Sequence, residues 1–247
     1  MKPALWLPRV DFRPGVRLRL ACFAHAGGGA APFMRWAREL PPDIALCPVR
    51  RPGREAALTE PLITEVQALA DGAFAALATL PPRPTVLLGH SLGAAMAFEV
   101  ARRMEAAGQP PALLIVSAKP PLHHESTRPR LAGLPDAAFI DAVDRTYGGI
   151  PAAVRAEPEL LALMLPALRA DLAASEGYRA TVEPRLTCPI RVCYGTEDPA
   201  LDPGALPAWA ELSAGPTTLD PYPGGHFYLF EHGLFLDRLC RVLAATG

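Results

Sequence analysis

The stretch VLLGHSLGAAMAFEV, residues 86–100, decides how the rest of the chain is read. Apolar residues run up to Gly89, one hydroxyl follows at Ser91, and alanine-rich sequence resumes after Gly93. Residues 85–89, TVLLG, are a continuous apolar run, the pattern of a strand buried on both faces. The sequence after Ser91 reads as a helix to about Ala107, with Gly108 placed to end it. Gly89-His90-Ser91-Leu92-Gly93 thus matches G-x-S-x-G between a strand and a helix. A serine hydroxyl is a weak nucleophile and must be presented to a base on a tight turn. Small residues on both sides let strand and helix approach closely enough for that turn. The helix N-terminus then offers backbone N–H groups to a developing oxyanion.

Working outward, residues 16–24, 44–49, 112–118 and 190–195 read as further strands, and 217–222 as a weaker one. Pro48 marks the second as an edge strand or one that ends early. Helices are expected over 32–40, 65–79 and 233–244. In the second of these, Thr64 is the expected cap, and Val66, Leu69, Ala70, Ala73, Phe74 and Leu77 share one face. Strands alternating with helices imply a parallel sheet covered on both faces. Residues 120–187 break the alternation. They hold no convincing buried strand but two helix-like segments, at about 135–146 and 158–179. In the latter, Leu160, Met164, Leu168 and Leu172 recur every four residues. The expectation is a single domain over 1–247, with a helical lid inserted at about 120–187.

Composition excludes several function classes. Half of the 247 residues are hydrophobic and a fifth are charged, which allows a sizeable core. The formal net charge of −1 gives no basic excess for nucleic acid or an anionic membrane. No run approaches the roughly 18 apolar residues of a membrane helix. The N-terminus lacks the apolar core of a secretory signal. Cys22, Cys47, Cys188, Cys193 and Cys240 are odd in number and scattered, so reduced core thiols are expected rather than disulfides or a metal site. A cytoplasmic protein follows, with a monomer as the default.

A nucleophilic serine needs a base and an orienting acid, in the chain order Ser, Asp or Glu, His. His226 in YPGGHFYLFE suits the base, because glycines free the backbone before it. His232 is a rival but sits where the terminal helix should begin; His123 and His124 precede any plausible acid and read as a solvated pair. Asp198, in VCYGTEDPALDPG, is the best acid, a few residues past a strand. Glu197 and Asp202 are neighbours that spacing leaves open. A second oxyanion donor should come from the glycine-rich loop FAHAGGGAAPF, where the Ala26 N–H would pair with that of Leu92. His25 orients this loop on the same reading.

Together, CFAHAGGGAAPFMRWARELP, RRPGRE, GHSLGAAMAFEVARRM, GTEDP, GGHFYLFE and the segment PELLALMLPALRADLAASEGYR closely resemble the type II thioesterases. These are editing enzymes of polyketide and non-ribosomal peptide assembly lines, within the α/β-hydrolase superfamily. The resemblance spans about residues 18–240 in the correct order. It places the family's serine, aspartate and histidine on Ser91, Asp198 and His226, and its oxyanion amides on Ala26 and Leu92. Two departures stand out: Ala24 where the family usually has proline, and Arg51 where it usually has leucine.

The resemblance implies an α/β-hydrolase fold, a mostly parallel sheet flanked by helices under a helical lid. It implies hydrolysis of acyl thioesters on the phosphopantetheine arm of acyl or peptidyl carrier proteins, with no cofactor and no metal. Phe139, Met164 and Leu168 are expected to line the acyl pocket. Arg50, Arg51, Arg54, Arg102 and Arg103 are expected docking charges for an acidic carrier. The alternatives are an esterase of small esters or lipids, an acyltransferase or cyclase, and a non-catalytic binding protein on the same scaffold. A complete triad argues against the last. The absence of a fused carrier domain argues against the usual chain-terminating cyclase.

Overall fold

The computed structural model describes residues 2–8, 10, 13–126, 128–150, 152–231 and 233–246. Six strands, β1 (Leu18–Phe23), β2 (Ile44–Val49), β3 (Thr85–His90), β4 (Leu113–Ser117), β5 (Ile190–Gly195) and β6 (Thr217–Tyr222), form one sheet in the order β2-β1-β3-β4-β5-β6. Every neighbouring pair is parallel. β2 is an edge strand, which accommodates Pro48. β1, β3 and β4 are buried along their whole length, so their sequences read as unbroken apolar runs.

Strand alternation divides the core. Ala21, Phe23 and Leu87 face one layer; Leu18, Leu20, Cys22, Val86 and Leu88 face the other. The first layer is covered by α3 (Val66–Ala78) and α4 (Leu92–Ala106), which follow the short N-terminal α1 (Pro3–Trp6) and α2 (Ala31–Met34). The second is covered by Phe33 of α2, Trp36, and the terminal pair α8 (Tyr228–Glu231) and α9 (Leu234–Ala244). Phe235, Leu236, Leu239 and Leu243 of α9 recur at helical spacing and are all buried. At α3 the N-cap is Glu65, without a side-chain cap bond, so the expected Thr64 cap is not used.

Between β4 and β5 lie α5 (Asp136–Tyr147), α6 (Ala152–Arg155) and α7 (Pro158–Gly177). They carry a small core of their own, including Phe139, Val143, Leu168 and Leu172. The expected stripe on α7 is only half buried: Leu168 and Leu172 are inside, but Leu160 is 41% exposed. Pro166 lies between the two halves of this helix.

β2 and β3 leave β1 on opposite sides, so the sheet reverses its winding between β1 and β3. Ligand crevices of open α/β sheets form at the carboxyl ends of strands at such a point. Phe23 pairs with Gly89 there, which sets the loop after β1 beside Ser91. Among the described residues, no helix is long and apolar enough to cross a membrane.

Candidate active site

Ser91 stands between β3 and α4 with φ 56° and ψ −117°, a conformation an L-residue adopts only under strain. Its N–H donates to the Ser117 carbonyl at 2.8 Å, which pins the turn to β4. Its hydroxyl does not cap α4 and stays available. The flanking glycines have a steric cause. A Cβ on Gly89 would lie 2.1 Å from the Gly93 carbonyl oxygen, and one on Gly93 would lie 2.0 Å from that of Phe23. Strand, helix and neighbouring strand meet too closely for any side chain.

Leu92, fully buried, is the first residue of α4, where a helix leaves its N–H groups without intrahelical partners. Ala26 lies in the loop after β1, and Ala26, Ser91 and His226 line the same cavity.

His226 and Asp198 come from the loops after β6 and β5. Backbone bonds cross between those loops: Thr196 N–H to the Tyr222 carbonyl at 2.8 Å, Glu197 N–H to that of Gly224 at 3.0 Å. This brings the His226 Nδ1 within 2.7 Å of Asp198 Oδ2, both side chains buried. The other Asp198 oxygen accepts from the Ala200 N–H at 2.8 Å, so the carboxylate cannot swing. The rivals are occupied or distant. Asp202 Oδ1 accepts from the Gly204 N–H at 2.9 Å and caps a 3₁₀ segment over Pro203–Leu212. Glu197 is exposed. His123 pairs with Glu211 at 3.1 Å, beside His124 and outside the cavity lining. His232 lies outside the described residues.

Rings enclose His226: Tyr147 of α5 at 4.9 Å between centroids, Phe227 at 5.1 Å and His90 at 5.2 Å. The His90 Nδ1 shares a hydrogen bond with the Ser117 hydroxyl at 2.9 Å, which in turn bonds the Tyr228 hydroxyl at 2.7 Å. Burial holds the His90 imidazole well below its ordinary pKa, with His226 and His25 adding to the effect. Desolvation, helped by Arg51 and His226, pushes His25 down to about 3. Both therefore stay neutral, and no fixed imidazolium opposes a charge on His226.

The cavity holds about 360 Å³. α5 and α7 roof it with apolar side chains, among them Val143, Met164, Leu165 and Leu168. Met164 and Leu168 thus line the cavity. Phe139 does not: it is fully buried behind this wall, under the Arg169 guanidinium at 4.2 Å.

The docking arginines also need correction. Arg50, Arg51 and Arg54 are 5%, 1% and 7% exposed. Arg50 Nε donates to the Leu5 carbonyl at 2.7 Å. Arg51 and Arg54 both grip Asp171 of α7, at 2.8 and 2.5 Å. A run of cations beside an apolar strand looked like surface, yet one buried carboxylate pulls it inward. Arg102 and Arg103 are part-exposed on α4. Arg102 lies over the Phe98 ring and donates to the Thr181 carbonyl; Arg103 pairs with Glu99 and Asp71 at 2.7 Å.

Reading the sequence missed Tyr147 and the Arg51–Asp171–Arg54 cluster. A signal for the cluster was present. Asp171 falls beside Leu168 and Leu172 on the buried face of α7, and a carboxylate on an apolar face needs a buried cation.

Comparison with known proteins places the chain in a family. The Thioesterase domain family model matches residues 18–246. "Thioesterase PikA5" of Streptomyces venezuelae is 37% identical, over 98% of this chain and 87% of that protein. "Probable cadicidin biosynthesis thioesterase" of Streptomyces griseus is 35% identical over 93% of this chain, which spans 63% of that protein's length. The solved structure of the type II thioesterase BorB, from the borrelidin biosynthetic cluster, superposes with a TM-score of 0.86 at 36% identity, covering 98% of this chain and 97% of that one.

Proposed function

The chain belongs to the thioesterase domain family, and from that premise we propose that it is a type II thioesterase. It releases acyl groups from the phosphopantetheine arm of carrier proteins in polyketide or non-ribosomal peptide synthesis. The observation that carries this reading is the 2.7 Å bond between the His226 Nδ1 and Asp198, beside a strained Ser91 on the same cavity.

The chemistry follows from the placement. Asp198 fixes the His226 tautomer with the proton on Nδ1, which leaves Nε2 as the base. Nε2 takes the Ser91 proton as Oγ attacks the thioester carbonyl. The Ala26 and Leu92 N–H groups hold the oxyanion. The C–S bond breaks, and the leaving thiol takes its proton from His226. Water then attacks the acyl-Ser91 ester, activated by His226, and the free acid departs. Each step uses groups of the chain and water, without a cofactor. The insertion acts as the lid, its apolar wall receiving the acyl chain. Arg102 and Arg103 are the cations, of those picked from the sequence, that an acidic carrier would meet. The enzyme works in the cytoplasm on this reading.

The test is release of free acid from acyl-carrier proteins, set against simple esters. Carrier-bound thioesters should be preferred, and Ser91→Ala should lose about 10⁴-fold or more. Preference for simple esters would favour the esterase reading, and equal turnover by Ser91→Ala would remove Ser91 as nucleophile.

A further inference from the structure

His25 to Gly28 close a turn: the Gly28 N–H donates to the His25 carbonyl at 3.0 Å, and Gly27 takes φ +79°. A positive φ at the third position is the type II arrangement. Two peptide planes in this turn are held from outside. The plane joining His25 to Ala26 carries the His25 carbonyl on one side and the Ala26 N–H on the other. A trans peptide is planar, so these two groups point in opposite directions. Arg51 Nη2 donates to that carbonyl at 2.6 Å. The next plane is held by its N–H: Gly27 donates to Asp171 Oδ2 at 2.8 Å. Arg51 also donates to the carbonyls of Ala24 and Gly28, each at 2.8 Å.

We propose that Arg51, anchored by Asp171 of α7, is a positioning residue for the oxyanion hole. By gripping the His25 carbonyl it turns the opposite end of the same rigid plane, the Ala26 N–H, toward the thioester oxygen. This rests on the thioesterase reading and adds to it a residue that never touches substrate. Two further effects act in the same direction. A hydrogen bond to a peptide carbonyl polarises the peptide and strengthens its N–H as a donor. Arg51 and Arg54 against the single Asp171 leave a net positive charge behind the loop. Burial pushes the Arg51 guanidinium down only to about 10, so it stays charged at neutral pH. The lid helix and the oxyanion loop are thus one mechanical unit.

The experiment is a double-mutant cycle. Ala26→Pro deletes the donor alone, because the second position of a type II turn accepts proline. It should lower kcat about 10²-fold, the usual cost of an oxyanion donor. Arg51→Leu should lower kcat by a similar factor with KM little changed. In the Ala26→Pro background, Arg51→Leu should cost less than about twofold more, since the group it positions is gone. Binding supplies a second readout. Arg51→Leu should weaken a trifluoromethyl ketone analogue, which forms a tetrahedral adduct, and spare a non-reacting thioether analogue. If Arg51→Leu does not fold, Arg51→Lys takes its place in the cycle, with a smaller loss that also vanishes beside Ala26→Pro. Losses that multiply across the cycle, equal weakening of both analogues, or normal kcat in Ala26→Pro would overturn the inference. Failure of the underlying reading shows elsewhere, as full turnover by Ser91→Ala.

Discussion

Asp171 and Asp198 are both buried, 1% and 6% exposed, and they solve the same problem with opposite partners. Asp198 faces one imidazole, His226, the base of the proposed mechanism. Asp171 faces two guanidiniums, Arg51 and Arg54, which stay charged. Burial alone would raise the Asp171 carboxyl; the two arginines more than reverse that and hold it below the usual aspartate range. The contrast separates two jobs. On the proposed mechanism, a carboxylate beside a base serves proton transfer. A carboxylate between fixed cations supports shape.

Replacing each carboxylate by its amide or by alanine should expose that division. Asp198→Asn keeps the fold but lets the His226 ring adopt the wrong tautomer. The rate should fall about 10⁴-fold with the melting temperature little changed, while Glu197→Gln stays near wild type. Near-normal activity in Asp198→Asn would erase the distinction between the two aspartates.

Asp171→Ala should do the reverse in kind. It strands two buried cations, and stability should drop by about 3–5 kcal/mol in denaturant titration. A loss under about 1 kcal/mol would mean that Asp171 behaves as a surface partner.

Protonation offers a milder probe. The native His90 pKa lies well below its unfolded value of about 6.5, so its contribution to stability is complete above that pH and lost as pH falls below it. Asp171 follows the same sign at lower pH, its contribution complete above about 3.9 and lost in stronger acid. His90→Asn, which keeps an amide near the Ser117 hydroxyl, should flatten the slope by about 0.7 kcal/mol per pH unit at pH 6.5, approaching about 1.4 kcal/mol per pH unit a unit or more below it. An unchanged slope would mean that His90 takes up a proton in the native state.

The smallest effect belongs to the acid that was a rival by spacing. Asp202→Ala removes a cap and should cost about 1 kcal/mol of stability with no loss of turnover. A steep loss of rate there would return the acid's role to Asp202.

The two aspartates also differ in how readily sequence reveals them. Asp198 sits a few residues past β5, whose largely apolar, mostly buried sequence marks it as a strand. Ser91 is legible from the buried apolar run of β3 before it, whereas His226 follows the weaker β6 and is marked by the glycines that precede it. Choosing among Glu197, Asp198 and Asp202 needed the crossing of two loops, which leaves no mark on spacing. Arg51 and Arg54 read as surface because their burial depends on a carboxylate far along the chain. Phe139 shares the apolar character of the cavity wall but sits one layer behind it. The short helices α6 and α8 and the 3₁₀ segment over Pro203–Leu212 are too short to carry their own periodic signal, and tertiary packing forms them.

The insertion leaves the sheet after Ser117 and returns at Ile190 to the adjacent strand, with Leu114 and Ile190 in register. Closing a long excursion between fixed ends costs little more than closing a short one, about 0.6 kcal/mol for each doubling of length. The roof over the cavity is therefore the part of the chain most open to grafting and drift, and cargo preference can change there while the strands keep their order. One requirement travels with any replacement roof: it must bring a carboxylate to where Asp171 now meets Arg51 and Arg54.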